Sequence, residues 1–138
     1  MLPEKIELEV VTPQRFVLHA DVKSLEMPAK DGYLGVLPGH APLITELGIG
    51  VLTYRTNGDT YCVTVMQGYA EVLPDRVIIL AEIAERAAEI DVERCRSALQ
   101  RAQAELAKAG SGEVDWQRAA TALERAMARL QVASKNGG

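Results

Sequence analysis

Between residue 5 and about residue 82, apolar positions recur at every second residue in short runs broken by turn residues. Ile6, Leu8 and Val10 alternate with Glu7 and Glu9, the pattern of a strand with one buried and one solvated face. Thr12-Pro13 stops that run. Phe16 and Leu18 mark a second strand, and residues 22–27 a third, ahead of Pro28 and the turn Lys30-Asp31-Gly32. Residues 48–56 and 60–67 flank Asn57-Gly58-Asp59, and Asn-Gly between two alternating runs predicts a hairpin. Residues 68–73 and 76–81 predict another, turned by Pro74-Asp75. Strands this short and this closely spaced predict a β sandwich, or a flattened barrel, of about ten short antiparallel strands. Gly48, Gly50 and Gly68 are then expected at bends or bulges rather than in a ligand loop.

The period changes near residue 82, where alanine, glutamate, arginine and leucine replace the β-branched residues. Asp91 reads as an N-cap, with Glu93 in the first turn where the helix dipole favours an acid. Val92, Cys95, Leu99, Ala102 and Leu106 then share one helical face. Gly110-Ser111-Gly112 is expected to end this helix, and Asp115 to cap a second with Trp116, Ala119, Leu123, Ala126 or Met127, and Leu130 inward. The chain is therefore expected to divide into a sandwich, 1–86, and an α-helical antiparallel hairpin, 87–138. Alanine fills 11 of the 48 positions from Asp91 onward, so the hairpin seam is thin in buried area and should close only marginally by itself.

Between these regions, residues 32–43 read Gly32-Tyr33-Leu34-Gly35-Val36-Leu37-Pro38-Gly39-His40-Ala41-Pro42-Leu43. Pro38-Gly39 predicts a type II turn, with proline fixing φ at its second position and glycine supplying φ > 0 at its third. Such a turn, held between apolar strands, can present a surface to a partner.

Composition removes several function classes. Net charge is -4, with 7 basic and 13 acidic residues through position 90 and 8 basic and 6 acidic beyond it, so no basic excess suits nucleic acid. Cys62 and Cys95 lack neighbours at metal-ligand spacing and read as reduced thiols. No apolar run approaches the roughly 20 residues of a membrane span, and the N-terminus lacks a signal-peptide pattern. The chain is expected to be soluble and cytosolic. No phosphate loop, nucleophile elbow or His-Glu-x-x-His motif occurs, and His19 and His40 are the two histidines. His40 reads as a turn residue at an interface or on the open surface in preference to a catalytic base, and no catalytic or metal-binding set emerges.

Arg94 and Arg101 lie seven apart on one flank of the first helix, and Arg118, Arg125 and Arg129 follow a flank of the second. Two readings of these residues stand: guanidinium forks facing each other around a polyphosphate, or a solvated face balanced by Glu93, Glu105 and Glu124.

Residues 32–43, followed by Gly68-Tyr69-Ala70-Glu71-Val72, Ala84-Glu85-Arg86-Ala87 and Ile90-Asp91-Val92-Glu93-Arg94, together resemble the epsilon subunit family of the bacterial F-type ATP synthase. The ordered set spans the chain. The resemblance implies a sandwich followed by a helical hairpin in a non-catalytic central-stalk subunit. Its implied partners are the gamma subunit and the polar loops of the c-ring, with alpha and beta subunits contacted when the helices extend. It implies a position on the cytoplasmic face of the bacterial plasma membrane, held there only through the complex. The turn is implied to meet the ring, which makes Tyr33, Pro38, His40 and Pro42 interface candidates; many relatives have an acidic residue where this chain has Tyr33.

In the family, extended helices inhibit ATP hydrolysis and folded helices release it. Some bacterial members bind ATP on the folded hairpin through an Ile/Leu-Asp-x-x-Arg-Ala motif and later arginines. Here Ile90, Asp91 and Arg94 match, Cys95 replaces the alanine, Arg101, Arg125 and Arg129 stand at arginine positions, and Glu85 joins them. No cofactor is required on this reading, and ATP is implied as a regulatory ligand. The rival readings are a purely structural coupling subunit whose helices never open, and a free-standing sandwich enzyme or binding module.

Overall fold

The computed structural model describes residues 2–108 and 115–136. Eight strands form the front of the chain: β1 Ile6–Val11, β2 Phe16–Val22, β3 Ser24–Ala29, β4 Gly32–Val36, β5 Leu43–Glu46, β6 Ile49–Arg55, β7 Thr60–Leu73 and β8 Arg76–Arg86. A single 3-10 turn, Ala87–Glu89, leads into α1 Val92–Ala107 and then α2 Trp116–Asn136. Eight strands replace the expected ten or so, and they are not all antiparallel, because β1 pairs with β8 in parallel.

The strand order is β2-β1-β8-β7-β6-β3-β4, with β5 paired to β7. One kink turns this continuous ladder into two layers. Gln67 and Gly68 both have positive φ, 60° and 108°, and the β7–β8 ladder passes them without changing register. Inward alternation nevertheless shifts by one there, from Val63 and Val65 to Ala70 and Val72 in β7, and β8 follows with Val77, Ile79 and Ala81 before Ala84. The residue at position 68 must be glycine. A methyl group there would overlap the Leu80 carbonyl, and φ is unfavourable to any other side chain. What reads in the sequence as separate strands on either side of Gly68 is thus one bent strand serving both layers.

Beyond the kink, the N-terminal half of β7 carries β6, β3 and β4, while the C-terminal half and the start of β8 carry β5, β1 and β2. Between the layers lies the main core, which includes Ile6, Leu8, Val10, Met27, Leu52, Val65, Val72 and Ile79. The Asn57-Gly58 hairpin forms as expected, with Thr56 N–H donating to the Asp59 carbonyl at 2.9 Å and Gly58 at φ 90°.

Both helix starts are capped by the expected aspartates: Asp91 Oδ1 accepts from Arg94 N–H, and Asp115 Oδ1 from Arg118 N–H, each at 3.1 Å. The Gly110-Ser111-Gly112 stop lies outside the described residues. α1 buries Cys95 and Ala102 against α2. α2 is buried on two sides. Ala119 and Ala126 are buried on one; at about 3.6 residues per turn, Ala128 and Val132 fall on the other, packed with Val51 and Cys62 of the sheet and with Ala87. One expected inward residue is corrected: Trp116 is 59% exposed. Of the two alternatives Ala126 and Met127, Ala126 takes the seam position and Met127 is 55% exposed, on the same side of α2 as Trp116, which neither α1 nor the sandwich covers.

Candidate functional site

The end of β8, the 3-10 turn and the two helices enclose a cleft of about 450 Å³. Its position follows from local sequence. β8 delivers Glu85, the extended pair Ile90-Asp91 delivers the α1 cap, and the helical period then sets Arg94, Cys95 and Arg101 on one wall and Arg125 and Arg129 on the other. All eight residues singled out for nucleotide binding line this one cleft. Arg118, on the same flank of α2 about two turns before Arg125, is not part of it. Ala98, Ala122 and Ala126 complete the wall, and their small side chains leave the volume open.

Four arginines face three acids in this cleft, and the acids are already engaged. Glu85 Oε1 accepts from Arg129 Nε at 2.7 Å and from the Thr64 hydroxyl at 3.2 Å. Asp91 caps α1. Glu89 pairs with Arg15 at 2.7 Å, and its other oxygen accepts from Arg86 N–H at 2.9 Å. The Arg15 guanidinium, more than the backbone bond, holds the Glu89 carboxyl below the usual range. Among the described residues Arg94, Arg101 and Arg125 make no ion pair, and Arg125 Nε is buried without a hydrogen-bond partner. An orphaned buried guanidinium nitrogen is costly, and an anion in the cleft would satisfy it. Burial pushes the Cys95 thiol up, against the opposing field of Arg129, so it is a neutral, apolar patch of wall. Sequence reasoning missed Glu89 and its partner Arg15: one stands beside the motif without belonging to it, and the other is 74 positions away in sequence, where no local pattern reaches.

The second candidate group divides. Leu37, Pro38, Gly39 and His40 form the expected turn, with His40 N–H donating to the Leu37 carbonyl at 3.1 Å and Gly39 at φ 88°. Gly39 N–H also donates to the Pro74 carbonyl at 2.7 Å, which ties this turn to the β7–β8 hairpin tip. The His40 ring donates from Nδ1 to the neighbouring Ala41 carbonyl at 2.7 Å. Pro42 follows on the open surface. Tyr33 sits near the other end of β4, opposite Pro28, and its hydroxyl accepts from Val51 N–H at 3.0 Å. Pro38, His40 and Pro42 are one surface; Tyr33 packs across β3 and β6.

Two family models match adjoining parts of the chain. The ATP synthase delta/epsilon chain beta-sandwich domain matches residues 5–87, and the delta/epsilon long alpha-helix domain matches residues 88–134. The chain belongs to the ATP synthase delta/epsilon family. It is 49% identical to the ATP synthase epsilon chain of Solibacter usitatus over 80% of this chain and 83% of that one. It is 42% identical to ATP synthase epsilon chain 2 of Syntrophotalea carbinolica over 99% of each. A chain in the cryo-EM structure of the Euglena gracilis mitochondrial ATP synthase, OSCP/F1/c-ring in rotational state 1, superposes with a TM-score of 0.80 at 27% identity, over 97% of this chain and 84% of that one. Family membership agrees with the sandwich-and-helices architecture described above. Among the described residues, no helix is long and apolar enough to cross a membrane.

Proposed function

We propose that this chain is a central-stalk rotor subunit of an F-type ATP synthase, coupling the gamma subunit to the c-ring, and that its helical hairpin is a conformational brake on ATP hydrolysis that ATP holds shut. The relatives named ATP synthase epsilon chain, and the solved neighbour in an F1/c-ring assembly, support the rotor reading. On it the chain is peripheral on the cytoplasmic face of the membrane, with the turn at Pro38, His40 and Pro42 towards the ring. Extended helices would reach the alpha and beta subunits.

The observation that carries the brake is the cleft itself. Three arginines without ion pairs, one with a buried orphan nitrogen, converge from two helices whose seam is mostly alanine. A ligand there touches both helices, so it binds the closed hairpin and not the open one, which is the differential affinity a switch requires. At a hundredfold excess over its Kd, ATP would stabilise the closed form by about 2.7 kcal/mol. That is comparable with burying one or two leucine side chains, about 1.5–3 kcal/mol each, and so is decisive for a seam this thin. The chain's own residues position the ligand: Arg94, Arg101 and Arg125 meet the phosphates, while Ile90 and Cys95 offer an apolar wall to the base.

Calorimetric titration of ATP into the isolated full-length chain tests this. The expected result is saturable binding in the parent and binding at least tenfold weaker in Arg94→Ala and in Arg125→Ala, since a charge-assisted hydrogen bond is worth about 1.5–3 kcal/mol. No heat in the parent, or equal heats in all three proteins, would make the arginines a solvated face.

A further inference from the structure

The outward side chains of β1 meet those of the edge strand β2 in a compact polar group. β1 sends Ile6, Leu8 and Val10 into the core, so Glu7 and Glu9 point outward two residues apart. Antiparallel register sets His19 of β2 opposite Glu9, and Asp21 opposite Glu7. No local motif marks the set, because only the strand pairing brings position 19 beside positions 7 and 9. Among the described residues, Glu7, Glu9 and His19 each offer one ligand atom, and the three atoms lie within 4.8 Å of one another. His19 Nε2 stands 3.0 Å from Glu7 Oε1, a contact in which the two side chains share one proton. In a tetrahedral zinc site with bonds of about 2.1 Å, two such ligands stand roughly 3.4 Å apart, so exchanging that proton for a metal needs only a small separation of the pair.

The group is also held from outside. Arg76, opposite Glu7 on β8, donates from Nη2 to Glu9 Oε1 at 3.2 Å. The Phe16 and His19 rings meet edge to face with centroids 6.4 Å apart, and Lys5 holds Asp21 at 2.8 Å. Ligands oriented by neighbouring side chains in this way are characteristic of metal sites. Glu7 and His19 are each about half exposed, where an ion pair contributes little, so little opposes its replacement by a metal. β2 ends the strand order, so the remaining coordination positions face water.

We propose that Glu7, Glu9 and His19 bind a divalent transition-metal ion of the zinc class, which crosslinks the edge strand β2 to β1. Two carboxylates alone would suit magnesium or calcium, and the imidazole shifts the preference to zinc, cobalt or nickel. The site lies on the outside of the sandwich, apart from the cleft between the helices, and does not depend on the proposed function.

The test is calorimetric titration of zinc chloride into the untagged, metal-free full-length chain with its thiols reduced, together with melting curves with and without zinc. The expected result is saturable binding of one ion per chain, a melting temperature raised by zinc, binding at least tenfold weaker in His19→Gln and in Glu7→Gln, and unchanged binding in His40→Gln. Both ligand variants alter half-exposed side chains, and metal-free melting curves matching the parent's would establish that they fold. Cobalt in place of zinc reads the ligands by absorption: a near-ultraviolet thiolate band would put the ion on Cys62 or Cys95 and overturn the assignment. Absence of saturable zinc binding in the parent, equal binding in folded His19→Gln, loss of binding in His40→Gln, or magnesium binding as tight as zinc would each overturn it as well, and none of these results bears on ATP binding in the cleft.

Discussion

Arg125 and Arg129 stand one helical turn apart on α2, and their surroundings separate ligand binding from hairpin closure. Arg129 is engaged: its Nε meets Glu85 at 2.7 Å, and Glu85 is in turn bonded to Thr64, a fully buried residue of β7. This chain of contacts fastens α2 to the sandwich. Removing Arg129 leaves Glu85 half-buried without its partner, so Arg129→Ala should lower stability by about 1–3 kcal/mol. Arg125 Nε has no partner, so Arg125→Ala removes an unsatisfied group and should leave the melting temperature within about 1 °C of the parent's or slightly above it. Thermal melts without ATP check this, and equal losses in both variants would show that the two arginines share one structural role. At this scale the sequence was most legible where the chemistry is local. Both helix-capping aspartates and the Pro38-Gly39 turn are readable from a few neighbours, whereas the Thr64–Glu85–Arg129 contacts join three distant segments and carry no sequence pattern.

At the scale of elements, α2 rather than α1 decides whether the hairpin stays down. Because α2 is buried on opposite sides, by α1 and by the sheet, α1 is held to the sandwich through α2 and the 3-10 turn Ala87–Glu89. That turn is pinned by the Arg15–Glu89 pair between the β1–β2 turn and the helical region. Glu89 is lowered by Arg15, so the stability its pairing contributes is fully present above the unfolded glutamate value of about 4.3 and is lost as pH falls through the lower folded value. Melting temperature should therefore fall more steeply in the parent than in Glu89→Gln as pH drops from about 6 to about 3. Parallel curves would remove the pair from the account. The misread elements have one physical origin. Periodicity identifies strands by unbroken alternation, and β7 breaks its alternation at Gln67-Gly68 while keeping its ladder, so one strand reads as two. A single buried stripe places Trp116, and Met127 as the alternative to Ala126, inward, whereas an alanine-lined helix buried on two sides turns both of these larger residues to solvent.

Across the whole molecule, the sandwich is complete without the helices. Among the described residues, no helical residue belongs to the main core cluster, which the layers of the sheet close by themselves, and the helix contacts form a smaller cluster around Val51, Cys62 and Val132. Cutting the chain after residue 87 should therefore leave a folded domain that still assembles, at the cost of exposing Val51 and Cys62, whereas a subunit built around its helices would unfold. If the hairpin is a brake, the complex carrying the truncated chain should hydrolyse ATP faster than the parent complex at low ATP, where the cleft is empty and the helices are free to extend. The two complexes should converge at high ATP, where the occupied cleft holds the parent hairpin shut. This convergence separates a ligand-gated brake from a general loosening of the stalk, which would raise hydrolysis equally at every ATP concentration. Steady-state hydrolysis over a range of ATP concentrations, with matched amounts of assembled subunit, decides between them, and identical rates throughout would leave the hairpin as a passive part of the coupling.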